Sequence, residues 1–265
     1  MQNLALETDG AVAALVVDRA NKHNAFTQEM WHELPQILAK IHRLDDVRVL
    51  LIRSATPGIF CAGADVNEYR EHAGDAKWGI QSQDRVARAL ASIRAIPVPT
   101  VAVIDGPCVG GGAGIALACD FRLSTERSAF AITPAKLGLV FPFEDIAALI
   151  ALVGAADAKQ MLFTGRRFDP HWALRTGFVN ELHPSESIDA AAAELAAELA
   201  SVAPGSVRGM KQMIAAVQAG HRESTPATDR IVAEALVGDD HLEGVTAFLE
   251  RRPAHFRGRP SEPAP

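Results

Sequence analysis

Two stretches of small residues carry the clearest chemistry in the chain. One is Phe60-Cys61-Ala62-Gly63-Ala64-Asp65-Val66-Asn67-Glu68. The other is Gly106-Pro107-Cys108-Val109-Gly110-Gly111-Gly112-Ala113-Gly114, which leads into Ile115–Cys119. Each follows an apolar, strand-like segment, and each is expected to open a helix. Small residues leave the main chain approachable, so the N–H groups of Ala64 and Gly111 can face a ligand. Amides at a helix start have no intrahelical acceptor and lie at the positive end of the dipole. They suit an anion, including an oxyanion that exists only in a transition state. Each donor so aimed is worth about 2.7–4 kcal/mol. A nucleotide-phosphate loop is a poorer fit, because the glycines miss the G-x-G-x-x-G frame and no Gly-Lys-Ser/Thr follows.

The elements that must hold these loops are visible in the patterning. Val12–Val17, Val47–Ile52 and Thr100–Ile104 are rich in Val and Ile and read as strands. A helix is expected over Thr27–Arg43 with Thr27 as N-cap, and another over Ile80–Arg94, before Pro97 and Pro99 extend the chain. Asp65 and Glu68 have the spacing of a capping pair, so a short helix should start at Asp65. Alternating strands and helices argue for an α/β layered core. Beyond Pro184 the pattern is helical: Ile188–Val202, Val207–Ala219, Ala227–Val237 and Leu242–Arg251. The expected division is a core over 1–190, a helical region over 191–258 and a disordered tail over 259–265.

Composition removes several function classes. A net charge of −6 with no dense Lys/Arg run gives nucleic acid no purchase. No uncharged apolar run is long enough to span a bilayer, and no signal peptide is expected from the first residues. Three cysteines, Cys61, Cys108 and Cys119, are an odd number without paired ligand spacing, which suits a reducing, cytoplasmic setting. Cys61 and Cys108 flank the two loops, where a thiolate would suggest a thioesterase, but unpaired cysteines in such settings are more often small core hydrophobes. The nine histidines lack metal-site spacing, and His72 is expected on a surface helix. Ser206 lacks the glycine two residues earlier that a nucleophile elbow uses.

The chain resembles the crotonase (enoyl-CoA hydratase/isomerase) superfamily. The resemblance rests on Ala62-Gly63-Ala64-Asp65 and Gly110-Gly111-Gly112, supported by Asn21-Lys22-His23-Asn24-Ala25, Ala118-Cys119-Asp120, Leu162-Phe163-Thr164-Gly165 and Ala247-Phe248-Leu249-Glu250-Arg251-Arg252. It runs from about residue 5 to 258. It implies a spiral of ββα units with a helical C-terminal region that drives trimers, often stacked as a dimer of trimers. It implies an acyl-CoA thioester as substrate, no separate cofactor and no metal. It places Ala64 and Gly111 as the oxyanion-hole amides, with Ala62, Asp65, Gly110 and Phe141 around the substrate. Lys22 falls near the CoA moiety, and Phe248 and Arg251 near the adenosine phosphate of a neighbouring subunit; as a helix-end cation, Arg251 equally fits a purely structural role.

One departure from the family bears on the reaction. Family hydratases use two glutamates; the matching positions here are Gly114 and Pro134, in Thr133-Pro134-Ala135-Lys136-Leu137-Gly138. Neither side chain can move a proton, and each positioned acid–base group typically contributes about 10²–10⁴-fold. Three readings stay open. Glu144 or Asp145, in Phe141-Pro142-Phe143-Glu144-Asp145, could supply the proton chemistry, although both also suit the first turn of a helix over Asp145–Leu152. The stretch Phe130 to Leu139 resembles methylmalonyl-CoA decarboxylase, where loss of CO₂ gives the enolate without a base; that family has Tyr at the place of Phe141 and an acid at the place of Gly114. Finally, the protein could bind an acyl-CoA without turning it over.

Overall fold

A computed structural model of the chain describes residues 3–257. The main sheet opens with a hairpin of β1 (Leu4–Asp9) and β2 (Val12–Val17), paired from Leu4 with Val17 to Asp9 with Val12. Parallel to β2 run β3 (Val49–Ser54), β4 (Thr100–Ile104), β6 (Phe121–Thr125) and β8 (Glu181–His183), in the order β1-β2-β3-β4-β6-β8. Two short strands, β5 (Pro107–Val109) and β7 (Ala129–Ala131), pair apart from it. All five residues of β4 are buried. That is the signature of a central parallel strand covered on both faces.

The two faces sort by the period of two. Leu50, Ile52, Ala102 and Ile104 join the larger core with α1 (Gln28–Leu38), α3 (Ala76–Arg94) and α4 (Gly111–Ala118). Val49, Val101, Val103 and Leu123 face the other way, onto Ile188, Ala192 and Ala196 of α7 (Ile188–Ser201). The alanine-rich stripe of α7 is thus the second covering layer. The expected division at residue 190 therefore falls inside an element of the core, and the break comes after α7. Beyond it, α8 (Pro204–Gln218), α9 (Pro226–Val237) and α10 (Asp239–Glu250) bury only Pro204, Gly209 and Ala247. Lys211 ties α8 back to the core, donating to the Val98 carbonyl at 3.0 Å and pairing with Asp120 at 2.6 Å. The tail expected over 259–265 lies outside the described residues.

Local signals explain the remaining helices near the site. Thr27 caps α1 as expected, its hydroxyl accepting from Met30 N at 3.2 Å. The α-helix stops at Leu38 rather than Arg43, but buried Ile41 continues the apolar spacing through a tighter turn. Asp65 caps α2 (Val66–Glu71) through Asn67 N. Glu68 does not complete a reciprocal box: its carboxylate accepts from Gln28 N at 2.9 Å, while Asp65 N goes to the Phe26 carbonyl.

The long α5 (Phe143–Thr164) is apolar enough to cross a membrane by length and composition, although Asp157 and Lys159 interrupt its apolar run. Gly154, at φ 75 and ψ 164, breaks it in two. Each half falls well short of the roughly 20 residues a span needs. Its first half packs on the core through Asp145, Leu149 and Val153. After it, α6 (Pro170–Thr176) leads to β8.

Candidate active site

The two small-residue loops come together. Cys61 N donates to the Pro107 carbonyl and Val109 N to the Cys61 carbonyl, both at 3.0 Å; Phe26 N donates to Gly63 and Asp65 N to Phe26, at 2.7 and 2.8 Å. These bonds lace the loop after β3 to β5 and to the chain before α1. A Cβ built on Gly63, whose φ is 102, would lie 2.8 Å from the Val109 carbonyl oxygen and 3.2 Å from Gly111 N. One built on Gly111 would lie 2.8 Å from Trp31 Cζ2 and 3.6 Å from Ala64 N. Only glycine lets the two backbones approach this closely. Ala62, Gly63, Asp65 and Gly110 all donate their N–H groups to protein acceptors. Among the described residues, Ala64 and Gly111 do not, and both line the same cavity of about 100 Å³.

Asp145 reaches that cavity from the first turn of α5. It is 1% exposed, and one carboxylate oxygen pairs with Arg94 from the end of α3. Its other oxygen, Oδ2, has no partner among the described residues. A Cβ built on Gly114 would lie 3.8 Å from Asp145 Oδ2 and 3.0 Å from Leu90 Cδ1. The Asp145 carboxyl therefore fills the space beside residue 114. Burial raises its pKa above the ordinary carboxylate value, and Arg94 offsets this only in part. Glu144 is exposed and does not line the cavity, so the two acids separate. Phe141, Ala62, Gly110 and Pro134 line it as well.

Residues 7–259 match the model of the enoyl-CoA hydratase/isomerase family. The chain belongs to this family. A mouse relative, enoyl-CoA hydratase domain-containing protein 2, mitochondrial, is 36% identical over 94% of this chain and 85% of its own. Carnitinyl-CoA dehydratase of Proteus mirabilis is 30% identical over 97% of this chain and 99% of its own. Among solved structures, an enoyl-CoA hydratase/isomerase family protein from Hyphomonas neptunium superposes with a TM-score of 0.94 at 35% identity, covering 97% of this chain and 98% of that one. The α/β architecture is therefore the crotonase fold, as the resemblance implied.

Against this family frame the other expected site residues take different places. The Asp65 carboxylate accepts from Asn67 N and Nδ2 and pairs with Arg19 at 2.9 Å. Burial opposes its ionisation, but these donors outweigh it and hold its pKa below the usual range. Asp65 thus anchors the loop that carries Ala64. Lys22 is exposed in the turn whose next residue, His23, accepts Ala62 N. Phe248 is 83% exposed and lines an apolar groove among α8, α9 and α10, separate from the cavity; Arg251 caps α10 in a left-handed conformation at φ 55. His72 ends α2 and stacks on Trp78.

Burial raises the pKa of Cys61 and Cys119 to about 12 and that of Cys108 well above its ordinary value. The native protein should therefore take up no thiol-alkylating reagent at pH 8 over a time in which the unfolded chain is labelled at all three, as read by mass spectrometry. Rapid native labelling at Cys61 or Cys108 would reopen a nucleophilic role. No cluster of His, Cys, Asp and Glu suited to a metal occurs among the described residues. Sequence reading did not single out Trp31, Tyr69 or Thr133, which also line the cavity. Of these, Tyr69 carried a usable signal: it lies one turn after the Asp65 cap, on the helix that the first loop opens.

Proposed function

We propose that this acyl-CoA-processing enzyme holds the thioester oxygen with the Ala64 and Gly111 N–H groups and moves a proton at the α-carbon with Asp145. The observation that carries the reading is the shared cavity, where two amides without acceptors meet a buried carboxyl oxygen without a partner. Ionised Asp145 takes the α-proton, the C–H electron pair moves into the thioester, and the negative charge arrives on the oxygen facing the two amides. Returning the proton at another carbon completes an isomerisation, which needs one acid–base group. A dehydration, the reaction named for the Proteus relative, would need Asp145 to serve the leaving hydroxyl as well.

The test is a panel of CoA thioesters in D₂O followed by mass spectrometry. The reading expects deuterium at the α-carbon. Release of CO₂ from malonyl-type thioesters, with one deuteron taken up at the α-carbon of that product and none by thioesters without a carboxylate, would make the protein a decarboxylase instead. Binding with neither exchange nor product would make it a carrier or sensor.

The assembly proposed is a homotrimer or a dimer of trimers. It is supported by the apolar side chains that α8–α10 leave exposed, among them Val237 at 85% and Leu249 at 74%. Sedimentation at micromolar concentration tests it. A cytoplasmic location rests on the three unpaired, buried thiols; relatives include both mitochondrial and bacterial proteins.

A further inference from the structure

A line of polar side chains, buried at Gln28 and Ser82 and half-buried at its two ends, leads to Tyr69, the only tyrosine in the chain. It starts at Arg85 on α3, whose guanidinium donates to Gln28 Oε1 at 3.5 Å. A cation facing the amide oxygen fixes the amide's orientation, so Gln28 Nε2 points on and donates to Ser82 Oγ at 2.6 Å. Ser82, at 0% exposure, donates its hydroxyl in turn to Tyr69 Oη at 3.2 Å. All the bonds run in one direction, so each polarises the next. At the end of the line the tyrosine oxygen is an acceptor, and its own proton is left to donate elsewhere. The ring is held edge-on against Trp78 with centroids 5.1 Å apart, and Tyr69 lines the cavity that holds Asp145 and the two amides.

We propose that Tyr69 is a substrate-touching hydrogen-bond donor, and that the acyl groups this site prefers carry an oxygen acceptor (a hydroxyl, carbonyl, carboxylate or phenol) beyond the thioester. Three helices contribute to orienting one hydroxyl, which has no use against a plain hydrocarbon chain. A site built to hydrogen-bond an oxygen disfavours the analogue that lacks it, because the buried donor is then left unpaired. Gln28 and Ser82 are positioning residues that act through Tyr69.

The inference rests on the acyl-CoA reading, and the test separates the two. Affinity and turnover are measured for matched thioesters with and without the oxygen: butyryl- against 4-hydroxybutyryl- and succinyl-CoA, and phenylacetyl- against 4-hydroxyphenylacetyl-CoA. The wild type should favour at least one oxygenated member about tenfold. Tyr69→Phe keeps the ring against Trp78 but removes the donor, and should bring the ratio between the two members of a pair to about one. Ser82→Ala should reduce the preference without changing affinity for the plain thioester, and Ser82→Thr should restore it; a packing defect would weaken both substrates together. The inference is overturned if no oxygenated member is preferred, or if Tyr69→Phe keeps the preference or lowers both members of a pair equally. In those cases binding of the plain thioester leaves the acyl-CoA reading standing. If no thioester binds at all, both fall.

Discussion

Asp145→Asn is expected to lower kcat for α-proton exchange by about 10²–10⁴-fold while acyl-CoA affinity stays within a few-fold. Asn has nearly the same shape, and its Oδ1 can still accept from Arg94, so the cavity keeps its walls. What it loses is an oxygen able to take and return a proton. Glu144→Gln, one residue earlier but on the exposed side of α5, should stay within about twofold of the wild type.

The pH profile carries a second readout. The base must be ionised, and burial raises the pKa of Asp145. Wild-type kcat/KM should therefore climb with pH through a value above the ordinary carboxylate pKa of about 3.9. The Asn variant should show no such limb. Linkage gives the sign for stability. A carboxyl whose pKa is raised on folding stabilises the native state below its unfolded pKa, and loses that contribution as pH rises through the raised value. The stability of the wild type relative to the Asn variant should thus be most favourable in acid and decline toward neutral pH. Full exchange activity in Asp145→Asn would remove the aspartate from the mechanism and leave the amide pair standing alone.

The case of Glu144 and Asp145 shows where sequence reading ends. Both acids suit the first turn of a helix, and nothing local ranks them. Adjacent residues on a helix point about 100° apart, so only one can face inward. Which one does so is settled by Arg94, 51 residues earlier, and by the space that Gly114 leaves open. Tyr69 had a local signal in its place one turn after the Asp65 cap, but its hydrogen-bonded line was not legible, since Gln28 and Ser82 come from two other helices.

The loops themselves were legible because glycine runs state a backbone requirement directly. Strands β2 and β4 were read to their observed ends from continuous Val and Ile bounded by turn residues. By contrast β5, β7 and β8 are three residues each, too short to carry a period, and their existence depends on pairing with distant partners. Strand β1 was missed because its second half, Glu7 to Asp9, is polar and exposed at the sheet edge. Helix α7 was assigned to the wrong region because alanine serves equally well in a sheet-covering helix and in a helical bundle.

Gly63→Ala should uncouple the two amides by forcing the loops that carry them apart. Residue 63 sits at φ 102, where an L side chain is strained, and its new Cβ would meet the Val109 carbonyl oxygen at 2.8 Å and Gly111 N at 3.2 Å. Backbone atoms cannot rotate aside as a flexible side chain would, so the loops must separate by some tenths of an ångström. Strain of this kind costs about 1–3 kcal/mol of stability. The larger effect is on rate. Losing the aim of one donor onto a forming oxyanion costs about 10²–10³ in kcat.

A control separates the two effects. Gly10, in the β1–β2 turn, also has a positive φ of 54 but nothing within 4 Å of an added Cβ. Gly10→Ala should lower Tm through backbone strain alone and keep wild-type turnover. Measured well below both midpoints, Gly63→Ala should be slower by about two orders of magnitude or more per folded molecule, with Asp145 intact and its pH limb unmoved. Equal turnover in the two alanine variants would mean that the chemistry does not depend on how closely the loops approach, and the oxyanion role of Ala64 and Gly111 would have to be abandoned.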